Sequence, residues 1–305
     1  MPPAPARWLG RVFAVAVLAF FSVFFAVPLA WLLLAPAKSG TQLGGLNGEQ
    51  PFSVGSFAQL AENLTALSAF EDGVFWTWVG NSLLYSGAAM VITLVLAIPA
   101  GYALAMTNFR GRRVMLVATL MVMLIPNTAL ALPIFLELAA VHLLNTPLAV
   151  ILPFSFFPFG VYLAFIFFST SMSHELLDAA RIDGAGEFQV FRWIAVPLAI
   201  PVVGLVAFFN FVGNWNNFFL PFIAEPASER QPVQVGLAEN VPAILAGAHL
   251  SLPQFALAII ISVAPILIVS LFSQRFLATG MTAGATHERA GGRTGRFARH
   301  EGNVG

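Results

Sequence analysis

Apolar residues run through this chain in blocks too long for a soluble core. Six of them, residues 9–34, 78–106, 114–136, 147–170, 198–223 and 254–278, reach the roughly 20 residues a helix needs to cross a hydrocarbon layer about 30 Å thick. The pattern predicts an all-α integral membrane protein with six transmembrane helices. The first block is too long for a signal sequence and has no small-residue cleavage site before Pro28, so it reads as a retained helix. The organisation that follows is an N-terminal segment (1–8), a first transmembrane helix (9–34), a long polar loop (35–77), a core with the other five helices (78–285), and a tail (286–305). In the loop after the fifth block, "QPVQVGLAENVPAIL" reads as an extended piece followed by a short helix. The tail, rich in glycine and arginine and poor in apolar residues, is expected to be disordered.

Composition agrees. Hydrophobic residues make up 58% of the chain and charged residues 9%, against roughly 25% charged in a soluble domain; too few charges remain to cover a wet surface. Where the charges fall is more informative than their sum, which is zero. Of the 14 lysines and arginines, all but Lys38 and Arg230 lie before or at the start of the first block, between the second and third, between the fourth and fifth, or after the sixth. Basic residues collect on the cytoplasmic side, so both termini are expected there. The absence of cysteine excludes disulfides, thiolate metal sites and cysteine nucleophiles.

One cytoplasmic stretch, "LLDAARIDGAGEFQVFRWIAVPLAIP" (176–201), is polar between two very apolar blocks. Ser173 is placed to cap a helix with Glu175 in its first turn, favourable at the positive end of the helix dipole. Leu176, Leu177 and Ala180 read as one apolar stripe, with Asp178 and Arg181 outside it. Gly184 is placed to end that helix in a left-handed conformation. A second short helix from Glu187 to Ala195 carries Phe188, Phe191 and Trp193, and Pro197 turns the chain back into the membrane. The product is a short exposed helix whose alanines let another protein come close.

The spacing Asp178-Ala179-Ala180, Asp183-Gly184-Ala185, then Ile194 and Pro197, resembles the EAA signature of permease subunits of bacterial ABC importers. Asp178 stands where glutamate is usual, and Val196 where leucine is common. The run 157–185, together with "AGYALA" (100–105), "FRGRR" (109–113), "NWNNFFLPF" (214–222) and "TGMTAGA" (279–285), is similar to the carbohydrate branch of that family. The resemblance implies a type I ABC importer permease fold with a cytoplasmic coupling helix, in a coupling loop spanning 171–197. Its ATPase-coupling residues are Leu176, Leu177, Asp178, Ala179, Ala180, Asp183, Gly184 and Ala185. The partners it implies are cytoplasmic ATPase subunits, a second homologous permease, an extracellular or periplasmic solute-binding protein, a sugar and the lipid bilayer. The location it implies is the bacterial cytoplasmic membrane.

This chain is not expected to hydrolyse ATP. A phosphate-binding loop requires Gly-Lys-Ser/Thr, and the one lysine, Lys38, follows Ala37 on the external side. ATP and magnesium are expected in the partner ATPase, with no cofactor bound by this chain. His174 has no neighbouring ligand residues, so no metal site is expected. Glu137 and His142 lie at the external interface, whereas proton-coupled transporters use a carboxylate deep in the membrane.

In the fifth block, Asn210, Asn214 and Asn217 recur at i, i+4, i+7 beside Phe211, Trp215, Phe218 and Phe222. Amides are costly in hydrocarbon unless partnered. They either bind a solute, with aromatic faces for sugar rings, or join helices. Asn127, beside Pro126, is a further candidate for the solute pathway, with Trp215 as its aromatic platform. Basic residues are essentially missing from the blocks, which favours a neutral mono- or oligosaccharide over glycerol-phosphate. Polyamine importers share the docking segment and stay as an alternative. An intramembrane enzyme would need a catalytic pair that no block offers, and a channel would have no use for a docking helix.

Overall fold

The computed structural model describes residues 4–43, 52–245 and 250–297. Helices account for nearly all of the order: α1 (Ala4–Leu34), α2 (Phe57–Ala69), α3 (Val74–Met106), α4 (Arg112–Met123), α5 (Asn127–Ala140), α6 (Pro147–Ser155), α7 (Pro158–Ser171), α8 (His174–Ile182), α9 (Glu187–Val190), α10 (Ile200–Trp215), α11 (Phe219–Ala224), α12 (Val233–Leu245) and α13 (Leu252–Phe297). Four spans are long and apolar enough to cross a bilayer outright. Two further pairs qualify if each bent pair counts as one span: α4 with α5, bent by 103°, and the 187–198 segment with α10, bent by 74°. The six blocks therefore correspond to these helices, with three of them interrupted. The third breaks at Leu124–Pro126, the fourth at Phe156–Phe157 and the fifth at Asn216–Phe218.

The chain divides into two compact units, residues 1–77 with 236–264, and residues 78–235 with 265–305. In the first, α2 is capped by Ser56, whose hydroxyl accepts from the Gln59 amide, and the Asn63 side chain donates to the carbonyls of Pro36 and Lys38, both at 2.8 Å. Part of the polar loop, residues 44–51, lies outside the described residues.

The second unit holds both candidate sites of the sequence. One core in it joins Ile98, Tyr102 and Met106 of α3, Ala164 and Phe168 of α7, Leu177 of α8, Val190 of α9 and Val202 and Val206 of α10. The α3–α7 crossing is tight: a Cβ on Gly101 would sit 2.8 Å from the Phe165 amide nitrogen and against Ala164. At the other end, one face of α3 holds the loop after α11 by its backbone. Trp78 donates to the Ser228 carbonyl, Asn81 to those of Glu229 and Gln231, Tyr85 to that of Arg230, and Ser82 accepts from the Val233 amide, all at 2.8–3.0 Å. The loop after α11 differs from expectation. Of residues 231–245 only Gln231 and Pro232 are non-helical, and α12 begins at Val233. The α13 helix also runs on to Phe297 rather than giving way after Ala285. The segment beyond Pro265 contains no proline and many good helix formers, and its glycines did not stop the helix. Residues 298–305 lie outside the described residues.

Candidate functional site

The three helix breaks meet at one cavity of about 750 Å³. Ile125, Asn127 and Thr128 reach it from the first break, Phe156 to Phe159 from the second, and Asn214 and Asn216 to Phe219 from the third. The wall combines asparagine amides and phenylalanine rings with aliphatic side chains such as Val122, Leu130 and Ile134, and none of its residues is ionisable. α5 and α7 begin at the wall, where the Ala129 amide donates to the Pro126 carbonyl and the Gly160 amide to the Phe157 carbonyl, both at 3.0 Å. A sugar presents both hydroxyl oxygens that accept and ring faces that lie on aromatic side chains.

The asparagines divide the two roles left open by the sequence. Asn210 is buried at 2% exposure, and its amide donates to Thr93 Oγ1 at 3.0 Å and to the Phe154 carbonyl at 3.1 Å. Thr93 in turn donates to the Ser155 carbonyl at 2.9 Å. The cause is local. Phe154 would ordinarily pair with the amide four residues on, but that residue is Pro158, which has no N–H. Side chains from α3 and α10 serve the carbonyls freed at the break, the condition for irregular backbone in a membrane. Asn210 is thus mainly a joint between helices, with only an edge on the cavity.

Asn214 donates to Asn210 Oδ1 at 2.8 Å and is half-buried on the cavity wall. Asn217 also lines the wall, and its amide nitrogen is buried without a hydrogen-bond partner. Asn127 is exposed at the wall. Trp215 is not on it: at 1% exposure it stacks on Phe211, with ring centroids 5.7 Å apart. The helix ends at Trp215, so the i+7 register expected for Asn217 fails and the chain turns before it. Asn216 and Thr128 join the wall and were not singled out from sequence. Their signal was the proline three residues or fewer before Thr128 and the Asn-Asn pair that ends α10.

The 173–197 segment follows its local signals closely. Ser173 caps α8, accepting from the Glu175 amide at 3.2 Å, and Gly184 ends the turn with φ +88. The expected stripe is corrected. Leu177 is fully buried in the chain's own core and closed to a partner, Ala180 is half-buried against that core, and Leu176 is 45% exposed. Leu176 and Leu177 are neighbours in sequence and so point about 100° apart on the helix. The outer surface instead carries Leu176, Asp178, Ala179, Ile182, Asp183 and Gly184, with Ile182 87% exposed at the tip. Ala185 packs inward. Of the three aromatics beyond the turn, Phe191 packs on the core, while Phe188 and Trp193 are exposed, Trp193 beneath the Arg192 guanidinium at 5.2 Å. Among the described residues no group of three or more His, Cys, Asp or Glu is placed to hold a metal.

Residues 97–283 match the family described as binding-protein-dependent transport system inner membrane component. The chain is 33% identical to an arabinooligosaccharides transport system permease protein of Halalkalibacterium halodurans, over 88% of this chain and 92% of that protein. It is 31% identical to the protein of the same description in Bacillus subtilis, over 90% and 95%. It is 30% identical to a diacetylchitobiose uptake system permease protein of Streptomyces coelicolor, over 88% and 86%. Among solved structures, a chain of a bacterial ABC transporter involved in the import of the acidic polysaccharide alginate superposes with a TM-score of 0.76 at 25% identity, covering 90% of this chain and 98% of that one.

Proposed function

Because this chain belongs to the binding-protein-dependent transport system inner membrane component family, and is a transport subunit rather than an enzyme, we propose that it moves a neutral saccharide into the cytoplasm. The solute passes by alternating access through the cavity at the three helix breaks. Energy comes from ATP hydrolysis in separate subunits that dock on α8, and a second permease and a solute-binding protein complete the importer. Both termini face the cytoplasm of the cell whose plasma membrane holds the chain.

The observation that carries the saccharide is the cavity wall, where asparagine amides and phenylalanine rings stand among aliphatic residues without an ionisable side chain. A phosphorylated or acidic solute would bury its charge there unpaired, at high cost, and a polyamine would do the same with the opposite sign. The relatives named for arabinooligosaccharides and diacetylchitobiose support a sugar. The test is Asn214→Leu in the assembled importer. Sugar hydrogen bonds contribute roughly 0.5–1.5 kcal/mol net each, so uptake of neutral oligosaccharides should fall about three- to tenfold with the complex still assembled. Joint loss of assembly, thermal stability and uptake would return Asn214 to helix joining and remove the support for this pathway.

A further inference from the structure

The turn that closes the coupling helix is spanned by one guanidinium. Arg181, in the last turn of α8, donates from Nη1 to Asp178 Oδ1 at 2.7 Å on its own helix. The same group donates from Nε to Glu187 Oε1 at 2.8 Å and from Nη2 to Glu187 Oε2 at 3.1 Å. Glu187 opens α9, on the far side of the Asp183–Gly186 turn. Paired parallel bonds of this kind fix orientation as well as distance.

The turn beneath is closed by its backbone, the Gly184 amide donating to the Arg181 carbonyl and the Ala185 amide to the Ala180 carbonyl, both at 3.0 Å, with Ala180 and Ala185 packed on the core. Gly184 itself has a positive φ, and a Cβ built there would meet nothing within 4 Å. The outer side of the bend is open, and the ion pair adds a side-chain tie across it. Past α9 the chain makes a π-helical turn, Phe191–Ala195, a local irregularity that recurs at functional sites. Its first ring, Phe191, lies 5.0 Å by centroid from Tyr102 of α3, and Tyr102 lies 5.3 Å from Phe168 of α7. The Tyr102 hydroxyl is buried with no hydrogen-bond partner.

We propose that Arg181 is the positioning residue of the coupling segment: by binding Asp178 and both oxygens of Glu187 it ties α8 to the 187–195 segment, so that the two move as one body against the Tyr102–Phe168 contact. The inference rests on the reading of α8 as the ATPase docking helix. Force applied to the exposed Leu176–Ile182 surface would otherwise dissipate by bending at Gly184. With the tie in place it reaches Phe191 and, through Tyr102 and Phe168, the ends of α3 and α7. Exposed ion pairs add little to stability. The role is therefore geometric, and it is separable from folding.

The absence of native cysteine allows spin labels at His174→Cys and Phe188→Cys, both exposed, in the full-length chain in lipid nanodiscs. The otherwise wild-type protein should give a single narrow distance. Arg181→Ala and Glu187→Ala should each lose it for a broad distribution, and the double variant should be no broader than either single one, since all three remove the same interaction. Thermal unfolding midpoints should match the wild type throughout, which a merely structural role would not permit. An unchanged distribution in Arg181→Ala, or a double variant clearly broader than both singles, would overturn the tie. The docking reading fails separately, if the wild-type chain does not retain an ATPase on purification.

Discussion

Asn210 is the residue whose replacement tests most directly how the broken helices are held. Asn210→Leu keeps the side chain's approximate volume but removes three hydrogen bonds: to Thr93 Oγ1, to the Phe154 carbonyl, and from the Asn214 amide. Each interhelical bond in a membrane contributes on average about 0.6 kcal/mol and at most about 1.7. The Phe154 carbonyl is a special case, because Pro158 leaves it no backbone donor. An unsatisfied buried acceptor costs roughly 1–3 kcal/mol. The Asn214 bond lies within α10, so the expected loss is about 2–4 kcal/mol, from one averaged interhelical bond plus the orphaned carbonyl. Reversible unfolding of the purified chain in mixed micelles reads this directly. Thr93→Val supplies the control, because it removes one of the same bonds, and the double variant should be less destabilised than the sum of the singles. An Asn210→Leu chain within about 0.5 kcal/mol of the wild type, well under the orphaned-carbonyl cost, would refute the assignment of Asn210 to the break. Additive effects of the two variants would do the same.

Further outcomes follow from the ends of the helices. Glu225, just past the fifth span, is fully buried with both carboxyl oxygens unpaired, and burial raises its pKa to about 8, opposed in part by Arg230. The folded chain then holds a proton that the unfolded chain releases near the ordinary carboxylate value, so stability falls as pH rises toward about 8. Glu225→Gln should accordingly be more stable than the wild type by a margin that grows between acidic and mildly alkaline pH; an equal margin at both ends would discard this account. Gly184→Val should strain the turn by about 1–2 kcal/mol with no steric clash, and should weaken ATPase retention, whereas Gly184→Asn should preserve it, since asparagine tolerates the left-handed region. Undiminished retention by the valine variant would remove Gly184 from coupling. Ser53→Cys should react with an impermeant thiol reagent from outside and Ser173→Cys only after permeabilisation, and the reverse pattern would invert the topology.

Local chemistry was legible in the sequence wherever the deciding partner is near in the chain. Ser173 caps a helix whose donating amide is two residues away, and Gly184 ends it through its own φ. The six apolar blocks marked the spans because hydrocarbon imposes a length. Proline was legible as a residue but not as an outcome. Pro99, Pro133, Pro153 and Pro265 sit inside continuous helices, while Pro126 and Pro158 stand at breaks. Which outcome follows depends on whether a side chain elsewhere can serve the freed carbonyl. For Phe154 that side chain is Asn210, 56 positions away, and no local pattern announces the pairing. The same limit explains Leu177 and Trp215. Both were candidate residues, Leu177 for coupling and Trp215 for the pathway, but the rotation of a helix about its axis is set by tertiary packing, and packing turned both inward.

The breaks, the cavity and the polar joints share one physical origin. A continuous transmembrane helix exposes no backbone and gives a solute little to bind. Interrupting it frees donors and acceptors, which must be paired or must face a polar space. Here the second break does the former, through Thr93 and Asn210, and its neighbours Phe156 to Phe159 then line the space that also receives Asn127, Asn214 and Asn217. The Asn210 oxygen links the two regimes, because it accepts from Asn214 at the cavity wall while its nitrogen holds the break. A solute that drew the Asn214 amide away would take that bond from Asn210, the residue that also holds α10 to α3 and the end of α6. Occupation of the cavity by a solute would in this way be connected to the packing of the helices around it by one shared hydrogen bond.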